Sequence, residues 1–257
     1  MIDSRAAVDP SARIAASVHI GPFCVVGPDV GIGEGTWIGP HVVINGPTRI
    51  GRDNRVFQFA SLGDIPQDKK YRGETTELII GDRNIIREYC TINRGTQIGE
   101  GATVIGNDNW IMAYVHIAHD CCIGDHTVFS NGATLAGHVV IEDYATLGGF
   151  TLVHQFCRIG THAFCGMGTA LNRDLPPYVL AAGNLAVPHG INKVGLKRHG
   201  FSAETIQALH RAYIVLIKSR TKNTDDATER LEGLSGRHPE VARLMEFVKS
   251  STRGVIR

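Results

Sequence analysis

The densest group of side chains capable of chemistry lies in the segment Ala113–Cys122, where His116 and His119 precede Asp120. An imidazole with a pKa of about 6.5 exchanges protons at neutral pH, so histidine is the natural general base. A carboxylate beside it can orient the ring and stabilise its charged form. Two more histidines, His138 and His154, follow later in the chain. These residue types predict an acid–base site.

The elements that carry these residues are predicted by a repeat with a period of six. A six-residue period fits neither an amphipathic helix nor a long flat strand. It fits a short strand plus a corner, with one apolar side chain pointing inward from each unit. The longest uninterrupted run of inward positions is Ile105, Ile111, Ile117, Ile123, Phe129, Leu135, Ile141, Leu147, Val153, Ile159, Cys165 and Leu171.

Three such units close a triangular coil of 18 residues, and stacked coils pair as parallel strands about 4.8 Å apart. This is the hexapeptide pattern of left-handed β-helix proteins. Its left hand is taken from that resemblance, because crossovers are normally right-handed. The predicted fold is an all-β left-handed parallel β-helix over residues 1–185, followed by a small α-helical C-terminal domain over residues 186–257.

The repeat is interrupted in its first half. A charged stretch rich in Pro and Gly predicts an inserted loop at about residues 63–78, and long loops on a rigid scaffold often carry function. The inward register is then expected to return at Ile80, to continue through Ile98, and to slip by one residue near Val104.

The C-terminal domain is predicted to hold three helices. Ser202 is the expected N-cap of the first, which runs to Lys218. A shorter helix is expected over residues 225–234, and another after Pro239. The basic residues of this part form either a solvated face or a binding surface: Lys197, Arg198, Arg211, Lys218, Arg220 and Lys222.

With 18 residues per coil, positions 18 apart stack in adjacent coils. His119, Gly137 and Gln155 then share one column, with Asp120 and His138 beside them and His154 next to Gln155. A glycine in this place can present its N–H to a developing oxyanion. The spacing leaves open whether Asp120 orients His119 or His138.

The histidines have two other interpretations. One is a solvated polar face without function. The other is a zinc site between subunits, as in gamma-class carbonic anhydrases, which use a longer spacing than that between His116 and His119. The expectation is that the site holds no metal.

The composition argues against nucleic-acid binding, membrane insertion and secretion. The formal net charge is +1 over 257 residues, which gives no global basis for binding nucleic acid. The sequence contains no run of eighteen apolar residues, and Met1–Pro10 lacks the apolar stretch of a secretion signal. The six cysteines lack a disulfide spacing and are expected to be reduced. A cytoplasmic protein without a transmembrane segment is expected.

Several motifs resemble one family, the UDP-N-acetylglucosamine acyltransferases that begin lipid A synthesis. The resemblance runs nearly from end to end. The related N-acyltransferase carries an extra N-terminal domain, and the start of the repeats by residue 14 favours the O-acyltransferase. The matching motifs are Asp68–Gly73, Ala118–Asp120, Leu135–His138, Val153–Phe156, Gly195–Arg198 and Ser251–Arg257.

The resemblance implies transfer of a (3-hydroxy)acyl chain from acyl carrier protein to the 3-position of UDP-N-acetylglucosamine by a homotrimer. His119 matches the general base, Asp120 its acidic neighbour, and Gly137 the oxyanion donor. No cofactor is implied, because the carrier protein's phosphopantetheine holds the acyl group. The implied substrate-binding residues are Asp68, Lys70, Asn93, His116, His138, His154, Gln155, Met167, Asn192 and Arg198.

Three positions depart from the family pattern. Asn93 stands where many members have histidine, and Val194 stands where an acidic residue is common. An alternative acceptor is therefore the 3-amino UDP-sugar, which would give an amide. Met167 lies at the position that limits the length of the acyl chain in this family, where some members have glycine. The larger methionine side chain predicts a shorter acyl chain than in those members. A different hexapeptide acyltransferase, using acyl-CoA on a small amine, is the remaining alternative.

Overall fold

The computed structural model describes residues 1–219 and 229–257. The chain winds into a triangular prism whose three faces, here called I, II and III, are parallel sheets of 9, 8 and 10 strands. This is the left-handed parallel β-helix predicted from the repeat. Among the strands of the described residues, only the last pair, Val179–Ala182 with Val187–Ile191, is antiparallel.

Each face is a ladder of very short strands, one from each coil. The strands of face I are Ala7–Val8, Val25–Val26, Val43–Ile44, Ser61–Asp64, Thr91–Asn93, His116–Ile117, Thr134–Leu135, Leu152–Val153 and Ala170–Leu171. Those of face II are Arg13–Ile14, Val30–Ile32, Thr48–Ile50, Glu77–Ile80, Ala102–Ile105, Cys122–Ile123, Val140–Ile141 and Arg158–Ile159. Those of face III are His19–Ile20, Trp37–Ile38, Arg55–Val56, Ile85–Ile86, Trp110–Ile111, Val128–Phe129, Thr146–Leu147, Phe164–Cys165, Val179–Ala182 and Val187–Ile191.

The core is the stack of inward side chains that the six-residue period predicts. Ile117 pairs in register with Leu135, and Leu135 pairs with Val153. All twelve positions of the uninterrupted run are buried. Burying one apolar side chain from every unit supplies the driving force, at about 25 cal/mol per Å² of apolar surface.

Two insertions interrupt the coils. Residues 65–76 form a loop between the strands Ser61–Asp64 and Glu77–Ile80, where a loop was predicted. The next coil is also longer than 18 residues, because Thr91 pairs with His116. Its extra residues, 94–101, form a second insertion that the repeat did not predict. The expectation that Ile98 points inward was therefore wrong, since Ile98 is 73% exposed.

Corners between faces turn through backbone in the left-handed region. Asp120 and His138 have φ of 60° and 62° at the corner between faces I and II, called the I–II corner. His126 and His162 have φ of 57° and 55° at the II–III corner. Because the coils repeat, the side chains at one corner stack into a column along the prism.

The C-terminal helices follow the last strand, which ends at Ile191, beyond the predicted boundary at residue 185. Ser202 caps the second helix by accepting a hydrogen bond from the Thr205 N–H, as predicted. Part of the predicted helical segment 225–234 lies outside the described residues. Arg220 and Lys222 lie outside them as well. The helices are α1 (Lys193–Arg198), α2 (Ala203–Tyr213, continued by a π-helix over Ile214–Lys218), α3 (Glu232–Ser235) and α4 (Pro239–Ser250).

Hydrogen bonds tie the C-terminal segment back to the prism. The Asp174 carboxylate, 1% exposed, accepts from the Ser251 hydroxyl and the Arg158 N–H. Within residues 1–219 and 229–257, no helix combines the length and apolar character needed to cross a bilayer. All six cysteines are free, and five of them are buried.

Candidate active site

Four of the predicted site residues meet at the I–II corner. His119 and Asp120 lie at the corner of one coil, and Gly137 and His138 at that of the next. His119 Nδ1 lies 2.8 Å from Asp120 Oδ2, whereas His138 Nε2 lies 3.7 Å from the same oxygen. The shorter distance is a hydrogen bond and the longer one is not. Asp120 therefore orients His119, which the spacing had left open.

The Asp120 carboxylate is held as an anion inside the protein. Its side chain is only 1% exposed. Burial raises the pKa of this carboxyl, but hydrogen bonds from His119 and Thr96 outweigh that effect and leave the pKa below its ordinary value. An ionised carboxylate only accepts hydrogen bonds, so the proton between the two residues belongs to His119 Nδ1.

This tautomer leaves His119 Nε2 as a hydrogen-bond acceptor. Among the described residues, no group is hydrogen-bonded to it, and 15% of the side chain is exposed. The ring lies against Gly137, where an added Cβ would be 2.5 Å from Cε1 and 2.8 Å from Nε2. Glycine is therefore required at residue 137 to make room for the imidazole.

The Gly137 N–H is placed for a ligand. The neighbouring residues Ala136 and His138 donate their N–H groups to Val153 and His119 carbonyls. The Gly137 N–H has no acceptor within the described ranges, although the residue is buried. A buried N–H without a partner is rare and marks a place where a ligand oxygen can bind.

His116 and His138 flank this pair as neutral rings. Burial lowers the pKa of His116, and the charge of His119 lowers it further. Burial likewise lowers the pKa of His138, against the attraction of Asp120. His116 Nδ1 lies 2.7 Å from the Thr91 hydroxyl, and His138 stacks on Phe156 with ring centroids 4.5 Å apart. Both imidazoles can therefore serve as neutral hydrogen-bond partners for a ligand.

His154 and Gln155 lie one coil further along the same corner, and both are exposed. His154 Nδ1 lies 3.3 Å from Nη2 of Arg253. An apolar groove of about 340 Å³ crosses face I beside these residues. Its lining includes His116, Leu152, His154, Ala170 and Leu185.

The insertions approach the corner from the preceding coils. In the 65–76 loop, Asp68 Oδ1 accepts from the Lys70 N–H, and the Lys70 side chain is exposed. Asn93 was predicted to bind the substrate, and this stays a prediction. It is 4% exposed, and its amide donates to the Ile65 carbonyl at 2.8 Å, so it fixes the base of this loop.

Three predicted residues lie away from His119. Met167 is at the III–I corner and is 81% exposed. Asn192 and Arg198 line a larger groove, of about 760 Å³, between face III and α1, together with Val194. Asn192 also caps α1 by accepting from the Gly195 N–H. In a triangular prism face III lies opposite the I–II corner, so one chain does not bring these residues to His119.

A metal is the other ligand that this corner could hold. Ligand atoms of His119, Asp120 and His138 lie within 4.8 Å of one another. The carboxylate, however, already accepts three hydrogen bonds, from His119 Nδ1 and from the N–H and hydroxyl of Thr96. A cation would have to replace these donors.

Thr96 is the residue of this site that sequence reasoning missed. It lies in the second insertion, which has no period from which its position could be read.

Comparison with known proteins found two matching family models and several relatives. A family model described as UDP N-acetylglucosamine O-acyltransferase, domain 2, matches residues 174–256, and one described as bacterial transferase hexapeptide (six repeats) matches residues 102–137. The acyl-[acyl-carrier-protein]–UDP-N-acetylglucosamine O-acyltransferase of Halorhodospira halophila is 57% identical over 256 residues, covering 100% of this chain and 99% of the relative. The chain belongs to the UDP-N-acetylglucosamine O-acyltransferase family.

Solved structures of UDP-N-acetylglucosamine acyltransferases extend the comparison to three dimensions. Those from Francisella novicida and Moraxella catarrhalis are each 44% identical, with a TM-score of 0.96. Both comparisons cover 100% of this chain, and they cover 94% and 99% of the respective relatives. The prism and the helical domain are thus both features of the acyltransferase family.

Proposed function

We propose that the chain transfers an acyl group from the thioester of an acyl carrier protein to the 3-hydroxyl of UDP-N-acetylglucosamine, the first step of lipid A synthesis. Relatives that match it over its whole length are named for this reaction. The observation that carries the proposal is the His119–Asp120 hydrogen bond, which leaves His119 Nε2 free beside the unpaired N–H of Gly137.

His119 acts as the general base of this reaction. Its Nε2 accepts the proton of the sugar hydroxyl while the hydroxyl oxygen attacks the thioester carbonyl. The Gly137 N–H donates to the oxyanion of the tetrahedral intermediate. When the carbon–sulfur bond breaks, His119 returns the proton to the departing phosphopantetheine thiolate. Every proton and electron pair is accounted for, so we propose neither a metal nor a cofactor.

Both substrates have matching surfaces. The neutral imidazoles of His116 and His138 bind hydroxyl and carbonyl oxygens of the sugar, with Asp68 and Lys70 approaching from the first insertion. The acyl chain occupies the apolar groove on face I, whose lining is almost entirely hydrocarbon around Leu152. The exposed cations of α1 and α2, among them Lys197 and Arg211, meet the acidic carrier protein.

The complete site requires a second copy of the chain. Asn192 and Arg198 line the groove on face III, opposite the I–II corner of their own chain. They reach the nucleotide of a sugar bound at His119 only if another protomer presents its face III there. A homotrimer satisfies this for three sites at once. Such an enzyme works in the cytoplasm, where both of its substrates are soluble.

The decisive experiment is an acyl-transfer assay with a panel of acyl carrier protein thioesters against the 3-hydroxy and the 3-amino UDP-sugars. We expect transfer to the 3-hydroxy sugar, and a loss of about 10²- to 10⁴-fold in His119→Ala. His126→Ala is the matched control, because His126 is also a corner histidine near an aspartate and should be dispensable. Transfer to neither sugar, or full activity of His119→Ala, would refute the proposal.

The same assay tests acyl-chain selection. Met167 lies at the edge of face I that is farther from His119, where its side chain limits the length of the bound chain. Met167→Gly should shift the preference toward longer acyl groups. An unchanged order of preference across the thioester panel would remove Met167 from the determinants of chain length.

A further inference from the structure

The second insertion, residues 94–101, delivers one side chain onto the Asp120 carboxylate. Thr96 donates its N–H to Oδ1 at 2.8 Å and its hydroxyl to Oδ2 at 2.6 Å. The same Oδ2 accepts the Nδ1–H of His119 at 2.8 Å. Both carboxylate oxygens are thereby fixed, and the two hydrogen bonds from Thr96 set the plane of the carboxylate.

The insertion is shaped to lie close against this carboxylate. An added Cβ on Gly99 would be 2.4 Å from Asp120 Oδ1 and 2.5 Å from Cγ, so only glycine fits there. The Gly99 and Gly101 N–H groups close the turn by donating to the Thr96 carbonyl. In a regular six-residue unit, the side chains point into the core or lie along the face. Such a unit would not reach the corner of the next coil, where Asp120 lies.

Thr96 does not face the substrate. It is 4% exposed, so its contribution to the reaction passes through Asp120 and then His119. Without its hydroxyl, Oδ2 keeps a single donor and the carboxylate can rotate about its Cβ–Cγ bond. Rotation would turn His119 away from the orientation in which Nε2 lies against Gly137.

We propose that Thr96 is a positioning residue for the His119–Asp120 pair, and that the 94–101 insertion exists to place it. The inference rests on the proposed function, in which His119 is the base. Thr96 holds the buried carboxylate as an oriented anion, so that His119 is retained as the Nδ1–H tautomer with Nε2 presented to the sugar hydroxyl.

The test replaces the hydroxyl with a methyl group of equal size, in Thr96→Val. We expect kcat to fall about 10- to 100-fold, the usual effect of removing a hydrogen bond to a residue that orients a catalytic group, while KM stays within twofold. Thr96→Ser should restore most of the lost activity. Thr127→Val is the matched control, because the buried Thr127 hydroxyl also donates to a side-chain oxygen, Asn109 Oδ1 at 2.7 Å, but at the II–III corner.

The pH dependence of kcat/KM gives a second test. It should change in Thr96→Val only if Thr96 acts on the His119–Asp120 pair, and not if Thr96 only supports the fold. A carboxylate that is free to rotate no longer keeps its hydrogen bond to His119 and stabilises the protonated ring less. The acidic limb of kcat/KM should therefore move to lower pH in Thr96→Val and stay in place in Thr127→Val. His116 and His138, the other titratable groups that face His119, are the same in both variants.

A measurement without turnover separates this inference from the proposed function. Nitrogen-15 NMR of labelled imidazole reports the His119 tautomer directly. We expect a single Nδ1–H form in the wild type and in Thr96→Ser, and a mixture of tautomers in Thr96→Val. If Thr96→Val keeps the wild-type tautomer, kcat and pH profile while losing stability as Thr127→Val does, Thr96 only supports the fold and the proposal is overturned.

Discussion

Two corners of the same prism carry histidines and aspartates but differ in chemistry. At the I–II corner, His119 is hydrogen-bonded at 2.8 Å to a carboxylate that is 1% exposed. At the II–III corner, His126 Nε2 lies 4.0 Å from Asp108 Oδ2, and the two side chains are 45% and 29% exposed. Further along that corner, His162 stacks with the Tyr144 ring at a centroid distance of 4.7 Å.

The difference shows that residue type at a corner does not decide reactivity. Asp108 is already hydrogen-bonded to the Arg83 guanidinium and, at 4 Å, interacts only weakly with His126. The buried Asp120 carboxylate, at 2.8 Å, orients the His119 imidazole and stabilises its charge. The II–III corner instead uses its rings for packing, in the column His126, Tyr144, His162 and Tyr178. What distinguishes the I–II corner is the insertion that covers its aspartate.

The largest expected effect comes from removing the charge at the I–II corner. Asp120→Asn should lower kcat by about 10²- to 10⁴-fold, because the amide no longer fixes the tautomer of His119 or stabilises its protonated form. Asp108→Asn, the equivalent change at the II–III corner, should leave kcat within twofold. Steady-state assays of the two variants check this, and equal activities would contradict the contrast between the corners.

A smaller effect is expected from filling the space beside His119. In Gly137→Ala the new Cβ would lie 2.5 Å from Cε1, so the imidazole must move away from the oxyanion donor. We expect kcat to fall about 10²-fold, as when one oxyanion donor is lost. Gly31→Ala is the control, because a Cβ there meets no atom within 4 Å. Full activity of Gly137→Ala would show that the close approach is not needed.

The smallest effect concerns stability and belongs to the II–III corner. Burial, followed by the charges of His199 and Arg243, lowers the pKa of His162 to about 4. The unfolded chain, with a pKa of about 6.5, then binds this proton more tightly than the folded chain. Stability is therefore lost as pH falls from about 6.5 towards 4.

His162→Phe keeps the stacked ring and removes this titration. Its Tm should fall less than that of the wild type between pH 7 and pH 4.5, by a difference of about 2–4 °C. Thermal melts monitored by circular dichroism at several pH values measure this, with His126→Phe at the exposed neighbouring position as control. Parallel Tm–pH curves for His162→Phe and the wild type would show that His162 titrates alike in both states.

Much of the site could be predicted because the fold is periodic. The 18-residue coil converts spacing in the sequence into contact, so the sequence predicts that His119, Asp120, Gly137 and His138 lie at one corner. The helices after Ser202 and Pro239 also followed from local capping and amphipathic signals. The residue that was placed wrongly, Ile98, lies in the second insertion, where the period no longer holds.

The sequence by itself determined the prism, its inward core and the corner at which the histidines gather, since each depends only on a repeat that every coil satisfies locally. The tertiary structure decided three further points. Asp120 binds His119 and not His138, the 94–101 insertion carries Thr96 onto the carboxylate, and Asn192 and Arg198 lie on the face opposite the I–II corner. These depend on distances of about an ångström and on the path of non-repeating segments, and neither quantity is encoded in a period of six.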